Sequence, residues 1–326
     1  MGSNLTPERH PPLPLLPHRT HCVPIVEPVP MIRRLRPVEL RRSYLFLPGA
    51  DEAALLAAPA SGADVLIQEL EDFTPPDRLP EARALAEPVM RRWREAGAVA
   101  AIRVNPLDRG GRDDLEAAMR ARPDAILLPK VAAPEQIAEL DGAVARLERE
   151  LGIPERATEI VPNIESARGL VRTGAIAGAS GRVRACLVAS EDMAADLGAE
   201  RGPDAVELAY VRQRFLVECV AADVIAIDCP FTFSGLGDLE AETRFARRLG
   251  YRAKSCVAPS HAAVINRLLT PSADEIDRAR RVVAAFEAAR ARGGDRTLVD
   301  GVQVEMPTYL GAKRLLARAE ELAGAA

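Results

Sequence analysis

Histidine, cysteine and lysine are all scarce in this chain of 326 residues, and each shortage removes a class of chemistry. Three of the four histidines, His10, His18 and His21, fall at the very start, leaving His261 alone in the rest of the chain. That is almost no material for a His-ligated metal or a Ser-His-Asp triad. The five cysteines (Cys22, Cys186, Cys219, Cys229, Cys256) form no C-x-x-C pair, which argues against zinc ribbons and disulfide staples and fits a reducing, cytoplasmic setting. Only Lys130, Lys254 and Lys313 could supply an amine nucleophile. No window approaches the eighteen or so apolar residues a membrane helix requires, so a soluble protein is expected. A net charge of -4 gives no basic face for nucleic acid. Neither G-x-G-x-x-G after the first strand nor G-x-x-x-x-G-K-[ST] occurs, which removes the main support for a dinucleotide or P-loop fold. The partners expected are small molecules and further copies of the chain.

Residues 1–40 read as a separate Pro/Arg-rich extension, holding nine of the 26 prolines and no hydrophobic periodicity, and disorder is expected there. Its arginine-rich, acid-poor start resembles a transit peptide, but the proline density opposes the amphipathic helix such a peptide forms. MGSNLT matches the myristoylation pattern formally, a short match that chance readily supplies. Met31, just ahead of IRRLRPVELRRS, is a candidate natural start.

From Ser43 onward, short aliphatic runs alternate with longer stretches of helical period, the pattern of repeated βα units. Eight strands are expected at 43–47, 64–70, 99–104, 125–129, 159–164, 183–189, 223–227 and 251–257. Helices are expected near 51–61, 79–96, 112–121, 134–151, 166–179, 203–221 and 237–249. Eight parallel strands apolar on both faces predict a (β/α)8 barrel over 41–262, followed by a C-terminal helical segment over 263–326 that packs on the barrel or reaches a neighbouring subunit.

Barrel enzymes react at the carboxyl ends of their strands, so those ends form the candidate site. They offer Pro48, then Glu69, Glu71 and Asp72, Arg103 and Asn105, Lys130, Asn163 and Glu165, Glu191 and Asp192, Asp228, and finally Lys254 and Ser255. A single acid at such a junction reads first as a helix cap. Two acids on adjacent strands, Glu165 and Asp192, facing Arg103 read instead as ligands of a hard cation, Mg²⁺ or Mn²⁺, beside a guanidinium that neutralises an oxyanion. The plainer role for Arg103 is an ion pair with one of these acids. The rival chemistry is a Schiff base on Lys130 or Lys254, whose own plainer role is an internal ion pair with Glu69, Glu71 or Asp72.

The segments RRSYLFLPG (41–49), ELED (69–72), IRVN (102–105), LPKV (128–131), NIESARG (163–169), SEDMAADLG (190–198) and KSCVAPS (254–260) occur in order and register. Over residues 41–323 the chain resembles the citrate lyase β-subunit-like branch of the HpcH/HpaI aldolase superfamily, which includes malyl-CoA and citramalyl-CoA lyases. The resemblance implies a Mg²⁺-dependent barrel that makes or breaks a C–C bond between an acyl-CoA thioester and a 2-oxo acid. It further implies that Glu165 and Asp192 hold the metal, and that Arg103 stabilises the enolate. By the same resemblance the backbone from Ala189 through Ser190 and Glu191 holds the oxo-acid carboxylate, and Glu71 and Asp72 support the metal's waters and Arg103. Arg42 and Ser43, together with Pro48 and Lys130, stand where CoA is met. Glu305 is implied as an acid delivered to a neighbour's site in a trimer. Departures from the family pattern lie at the rim: Leu79 replaces a lysine, Ala189 a glycine and Ala258 a histidine, and Glu305 replaces an aspartate. They leave two rivals standing, a CoA-independent aldolase on the same metal core and a non-catalytic β-like subunit of a larger complex.

Overall fold

A computed structural model describes Met1, residues 35–233 and residues 235–324. Residues 2–34, which hold nearly all of the myristoylation match and Met31, lie outside the described residues. Eight strands, β1 (Ser43–Pro48), β2 (Val65–Glu69), β3 (Val99–Arg103), β4 (Ala125–Leu128), β5 (Glu159–Ile164), β6 (Ala185–Val188), β7 (Ile225–Phe231) and β8 (Ala253–Cys256), pair in chain order. Every pairing is parallel, and β8 closes onto β1 through Ser43 opposite Lys254, making the expected (β/α)8 barrel. The helices are α1 (Glu52–Ala57), α2 (Leu79–Glu95), α3 (Arg112–Arg120), α4 (Pro134–Glu150), α5 (Ala167–Leu170) and α6 (Thr173–Ala177). They continue with α7 (Glu191–Leu197), α8 (Ala209–Ala221), α9 (Leu236–Leu249), α10 (Pro259–Leu269), α11 (Ala273–Ala291) and α12 (Met306–Gly324). No helix among the described residues is long and apolar enough to cross a membrane.

Strand side chains alternate between faces, so each strand feeds two cores. Tyr44, Phe46, Val65, Ile67, Ala101, Leu127, Val161 and Leu187 fill the barrel interior. Leu45, Leu66, Ile102, Ile126, Ile160 and Cys186 face out and meet the helical layer. This parity decides which charged residue at a strand end points into the mouth, and it is the main link from sequence to site.

Two expected boundaries shift. Residues 35–40 are not part of a loose extension: Val38 is buried in the interior core, and the segment caps the N-terminal end of the barrel. Just beyond it Arg41 pairs with Glu159 at 2.6 Å and Arg42 with Asp64 at 2.9 Å. At the other end, α10 starts before residue 263 and packs on β1, β8 and α9 as the eighth barrel helix. The C-terminal segment proper is α11, a hairpin of β9 (Thr297–Val299) and β10 (Val302–Val304), and α12, around its own core of Val282, Phe286, Val299 and Val304. β7 runs four residues past its expected end, because Pro230 reads as a terminator yet sits at a register irregularity between Asp228 and Phe231. The expected helix at 166–179 is two short ones, α5 and α6.

Candidate active site

The C-terminal mouth of the barrel gathers five carboxylates and two cations. Arg103 is the hub. It lies opposite Glu69 in the β2–β3 register, and both point inward. Its Nε donates to Glu69 at 2.8 Å, while Nη2 lies 3.3 Å from Glu71 and 3.9 Å from Asp72, and Nη1 lies 3.8 Å from Glu165. Phe46 sits below the guanidinium, 5.1 Å from Cζ to the ring centroid, and Phe73 stands 5.9 Å away. Arg103 therefore takes its plainer role, as ion-pair partner to these acids, with its guanidinium held at the mouth.

Glu69, expected at the end of β2 but given no role there beyond ion-pairing a lysine, is what holds Arg103 in place. Its carboxylate accepts the backbone N–H groups of Glu71 at 2.6 Å and Phe73 at 2.5 Å as well as Arg103. The signal available in the sequence was parity: in VLIQE, Val65, Ile67 and Glu69 share the inward face. Gly49 makes this arrangement possible. A Cβ there would lie 2.3 Å from the Glu69 carbonyl oxygen, so no side chain fits where β1 meets the β2 loop.

Glu165 is buried beside Arg103, and neither of its carboxylate oxygens has a hydrogen-bond partner. Its pKa is pushed up to about 8, chiefly by burial, with the charges of Glu71 and Asp192 adding and Arg103 and Lys130 opposing. Asp192 enters from the first turn of α7, just beyond β6, whose end pairs with β5 through Ile164 and Val188. Neither acid is a helix cap: Ser166 caps α5 through its hydroxyl, and α7 begins at Ser190 with no side-chain cap at all. Asp196 is the structural acid of that motif, accepting the Ala167 N–H at 2.7 Å and tying α7 to the end of β5. A buried carboxylate lacking donors, beside a second acid, is a donor set for a hard divalent cation whose remaining positions are filled by water or ligand oxygen.

Lys130 reaches over from the end of β4 to ion-pair with Glu71 and, at 3.5 Å, with Asp72. Its backbone adopts a left-handed φ of 54°, a strained conformation for a non-glycine residue that turns the chain at the mouth. Glu71 is held above the usual carboxylate range by burial, against the pull of Arg103 and Lys130. Pro48 also reaches this mouth, being paired with Glu69 at the end of β1.

Several expected contacts are not brought together. Arg42 and Ser43 lie at the opposite, N-terminal end of β1, where Arg42 binds Asp64 and Thr270 and the Ser43 hydroxyl accepts from the Asp64 N–H. A ligand at the mouth cannot meet them, because the strand runs between the two ends. Ala189 donates its N–H to the Ile164 carbonyl in the sheet and has none left for a carboxylate. Glu191 turns away from Glu165 toward Thr232, at 2.7 Å, and Arg201, at 3.2 Å, while the Ser190 hydroxyl lies 3.4 Å from the Pro230 carbonyl. Glu305 sits where β10 meets α12, in a module whose Arg318 binds the carbonyls of Glu39 and Arg252 at the N-terminal end of the barrel. Among the described residues no hydrogen bond or ion pair joins it to this chain's own Arg103.

Lys254 is excluded as a Schiff-base amine. Its parity turns it outward into a fully buried network behind the barrel wall, where Nζ lies 2.8 Å from Asp228 and 3.4 Å from Glu242. Arg212 completes that network, 2.7 Å from Asp228. Burial pulls the ammonium down, but Asp228 and Glu242 prevail and hold its pKa above the ordinary lysine value. For Lys130, too, burial is outweighed, by Glu71 and Asp72, and its pKa is raised. Both amines stay protonated, the opposite of what imine formation needs. Asp228, Cys229 and Glu242 lie close enough together to suggest a metal site, but Lys254 and Arg212 already neutralise those acids.

With that geometry in place, comparison with known proteins decides the family. A family model described as HpcH/HpaI aldolase/citrate lyase matches residues 42–259. The chain belongs to the HpcH/HpaI aldolase/citrate lyase family. Among relatives in this family, the citrate lyase subunit beta of Leuconostoc mesenteroides subsp. cremoris is 33% identical over 281 residues, covering 85% of this chain and 92% of that one. A (3S)-malyl-CoA thioesterase of Cereibacter sphaeroides is 33% identical over 284 residues, covering 86% and 95%. Among solved structures, protein CitE of Mycobacterium tuberculosis, in complex with magnesium, acetoacetate and coenzyme A, aligns with a TM-score of 0.71 at 26% identity, covering 86% of this chain and 98% of that one. As a member of the HpcH/HpaI aldolase/citrate lyase family, the chain falls coarsely among carbon–carbon lyases and related thioesterases.

Proposed function

We propose that this protein is a Mg²⁺-dependent carbon–carbon lyase, with Mn²⁺ as a substitute ion, acting on a 3-hydroxyacyl-CoA of the malyl-CoA or citramalyl-CoA type and releasing an acyl-CoA and a 2-oxo acid. The observation that carries the reading is Glu165: a buried carboxylate without a hydrogen-bond donor, in the field of Asp192 and 3.8 Å from Arg103. Glu165 and Asp192 would hold the ion, which when bound polarises the substrate's oxygens and offsets the surplus negative charge of the mouth. CitE, at 26% identity, binds magnesium, acetoacetate and coenzyme A, which supports both the ion and the thioester.

The chain's own residues would divide the remaining work. In the cleavage direction the hydroxyl gives up its proton, the C–C bond breaks, and the electron pair moves into the thioester as an enolate. Arg103, locked by Glu69 and backed by Phe46, presents a fixed guanidinium to that oxyanion. Glu71 and Asp72 keep Arg103 and Lys130 in place and would hold the ion's waters. With the Ala189 N–H spent, the oxo-acid carboxylate would be met by Ser190 and the uncapped first turn of α7. Lys130 and Pro48 flank the rim that CoA would cross. Proton delivery to the enolate carbon would fall to Glu305 of a second copy, since this chain's own lies in the module anchored at the far end of the barrel; a homo-oligomer, a trimer in this reading, follows.

Thioester hydrolysis is the second reading, supported by 33% identity to a (3S)-malyl-CoA thioesterase. Incubating the purified protein with malyl-CoA and Mg²⁺ separates the two: the lyase releases acetyl-CoA and glyoxylate, the hydrolase malate and free CoA. Turnover of a free hydroxy-oxo acid without any thioester would favour a CoA-independent aldolase instead. Absence of all turnover, with stable co-purification of larger partners, would make the chain an accessory subunit.

A further inference from the structure

The N-terminal end of the barrel, remote from the carboxylate mouth, carries a cavity of about 490 Å³ between the α9–β8 turn and α12. Four arginines line it: Arg247 and Arg252 from the barrel side, Arg314 and Arg318 from α12. Only Arg247 has a carboxylate partner among the described residues, Glu275 at 2.8 Å. Arg318 spends its hydrogen bonds on backbone carbonyls of Glu39 and Arg252, which supply no countercharge. Arg252 and Arg314 are exposed and have no ion pair among the described residues. They also line an adjoining cavity of about 580 Å³, but there Glu39 and Asp223 stand beside Arg184, so the cations without carboxylate partners concentrate on the first cavity. Like charges held this close, with acids plentiful elsewhere in the chain, work against folding unless a ligand compensates them. The strain is visible at Arg318, whose pKa falls to about 10 through burial and the repulsion of Arg252 and Arg42, which Glu321 and Asp64 offset only in part.

We propose that this cavity is a binding site for an organic phosphate. Guanidinium forks match tetrahedral phosphate oxygens two at a time, and several forks converging on one hollow suit a ligand with at least two phosphate charges. Pro271 and Leu315 supply an apolar wall against which the organic part rests. The site takes its ligand independently of the lyase chemistry, because it shares no residue with the mouth.

ADP and pyrophosphate are the probes, titrated calorimetrically into the purified full chain at about 150 mM salt, where the long-range field of scattered surface charges is screened. Saturable binding of one equivalent per chain is expected. The double variant Arg252→Gln/Arg314→Gln should weaken it more than tenfold; both side chains are exposed and without an ion pair among the described residues, so the ligand-free fold should melt no lower than the wild type, and slightly higher where the repulsion is relieved. Asp192→Ala, at the other end of the barrel, should bind both probes as the wild type does. Absence of saturable binding, binding unaffected by the double variant, loss of binding in Asp192→Ala, or equal displacement by inorganic sulfate would each overturn the assignment.

Discussion

Replacing Glu165 with glutamine tests the electrostatics of the mouth without removing bulk. In the metal-free protein burial holds this carboxyl at a pKa of about 8, against about 4.3 for an exposed glutamate. Between those values the folded state keeps a proton that the unfolded state has released, so stability falls as pH rises. The slope approaches about 1.4 kcal/mol per pH unit, and the loss, complete above the folded value, totals about 4–5 kcal/mol. Glutamine cannot ionise and escapes this loss. Metal-free wild type should therefore lose roughly 10 °C of melting temperature relative to Glu165→Gln between pH 5 and pH 9, at about 2–4 °C per kcal/mol. Differential scanning calorimetry in chelator across that range measures it. Saturating Mg²⁺ should remove the wild-type slope, because ligation needs the carboxylate that high pH supplies, and should leave the variant unchanged. Parallel melting curves for the two metal-free proteins would refute the reasoning, showing that Glu165 ionises freely and is satisfied by donors.

Three further outcomes follow from particular contacts. Arg103→Lys keeps the charge but loses the fork that spans Glu69, Glu71 and Glu165, so kcat should fall by about 10²–10³ with the circular dichroism unchanged. Lys254→Met leaves Asp228 and Glu242 short of a buried cation and should cost about 3–5 kcal/mol in urea unfolding, while borohydride trapping with substrate stays negative in wild type and variant alike. Glu305→Gln and Asp192→Ala should each be inactive alone, yet mixed, refolded oligomers should recover activity if one copy's Glu305 serves another's metal site; no recovery at any ratio would place the proton donor within a single chain.

Barrel architecture was legible because eight apolar runs, each too short for a helix and buried on both faces, leave few other closed arrangements. The placement of Glu165 and Arg103 at the mouth was legible because a strand end and its parity fix where a side chain points, and Asp192 follows β6 in the first turn of α7. Lys254 was misread for the same reason: without the register, nothing in YRAKSCV says that Ala253 and Ser255, not Lys254, face inward. Arg42 was misplaced by assigning it to the start of a motif whose other end, Pro48-Gly49, is the part at the mouth. Glu69 was placed at the mouth without its role, because a positioning acid looks like any other acid until its backbone donors are seen. The end of α12, bonding across to Glu39 and Arg252, depends on contacts between residues far apart in the chain, which local pattern does not encode.

The central claim is that Glu165 and Asp192 form one divalent-metal site on which thioester-linked carbon–carbon cleavage depends. Its most direct test is the rate of acetyl-CoA release from malyl-CoA by wild type and Asp192→Ala, each with Mg²⁺ and with excess chelator. The account predicts activity only for wild type with Mg²⁺, restored on returning the ion and absent from the variant at any Mg²⁺ concentration. Activity that survives chelator, or an Asp192→Ala variant that turns over at the wild-type rate, would contradict it.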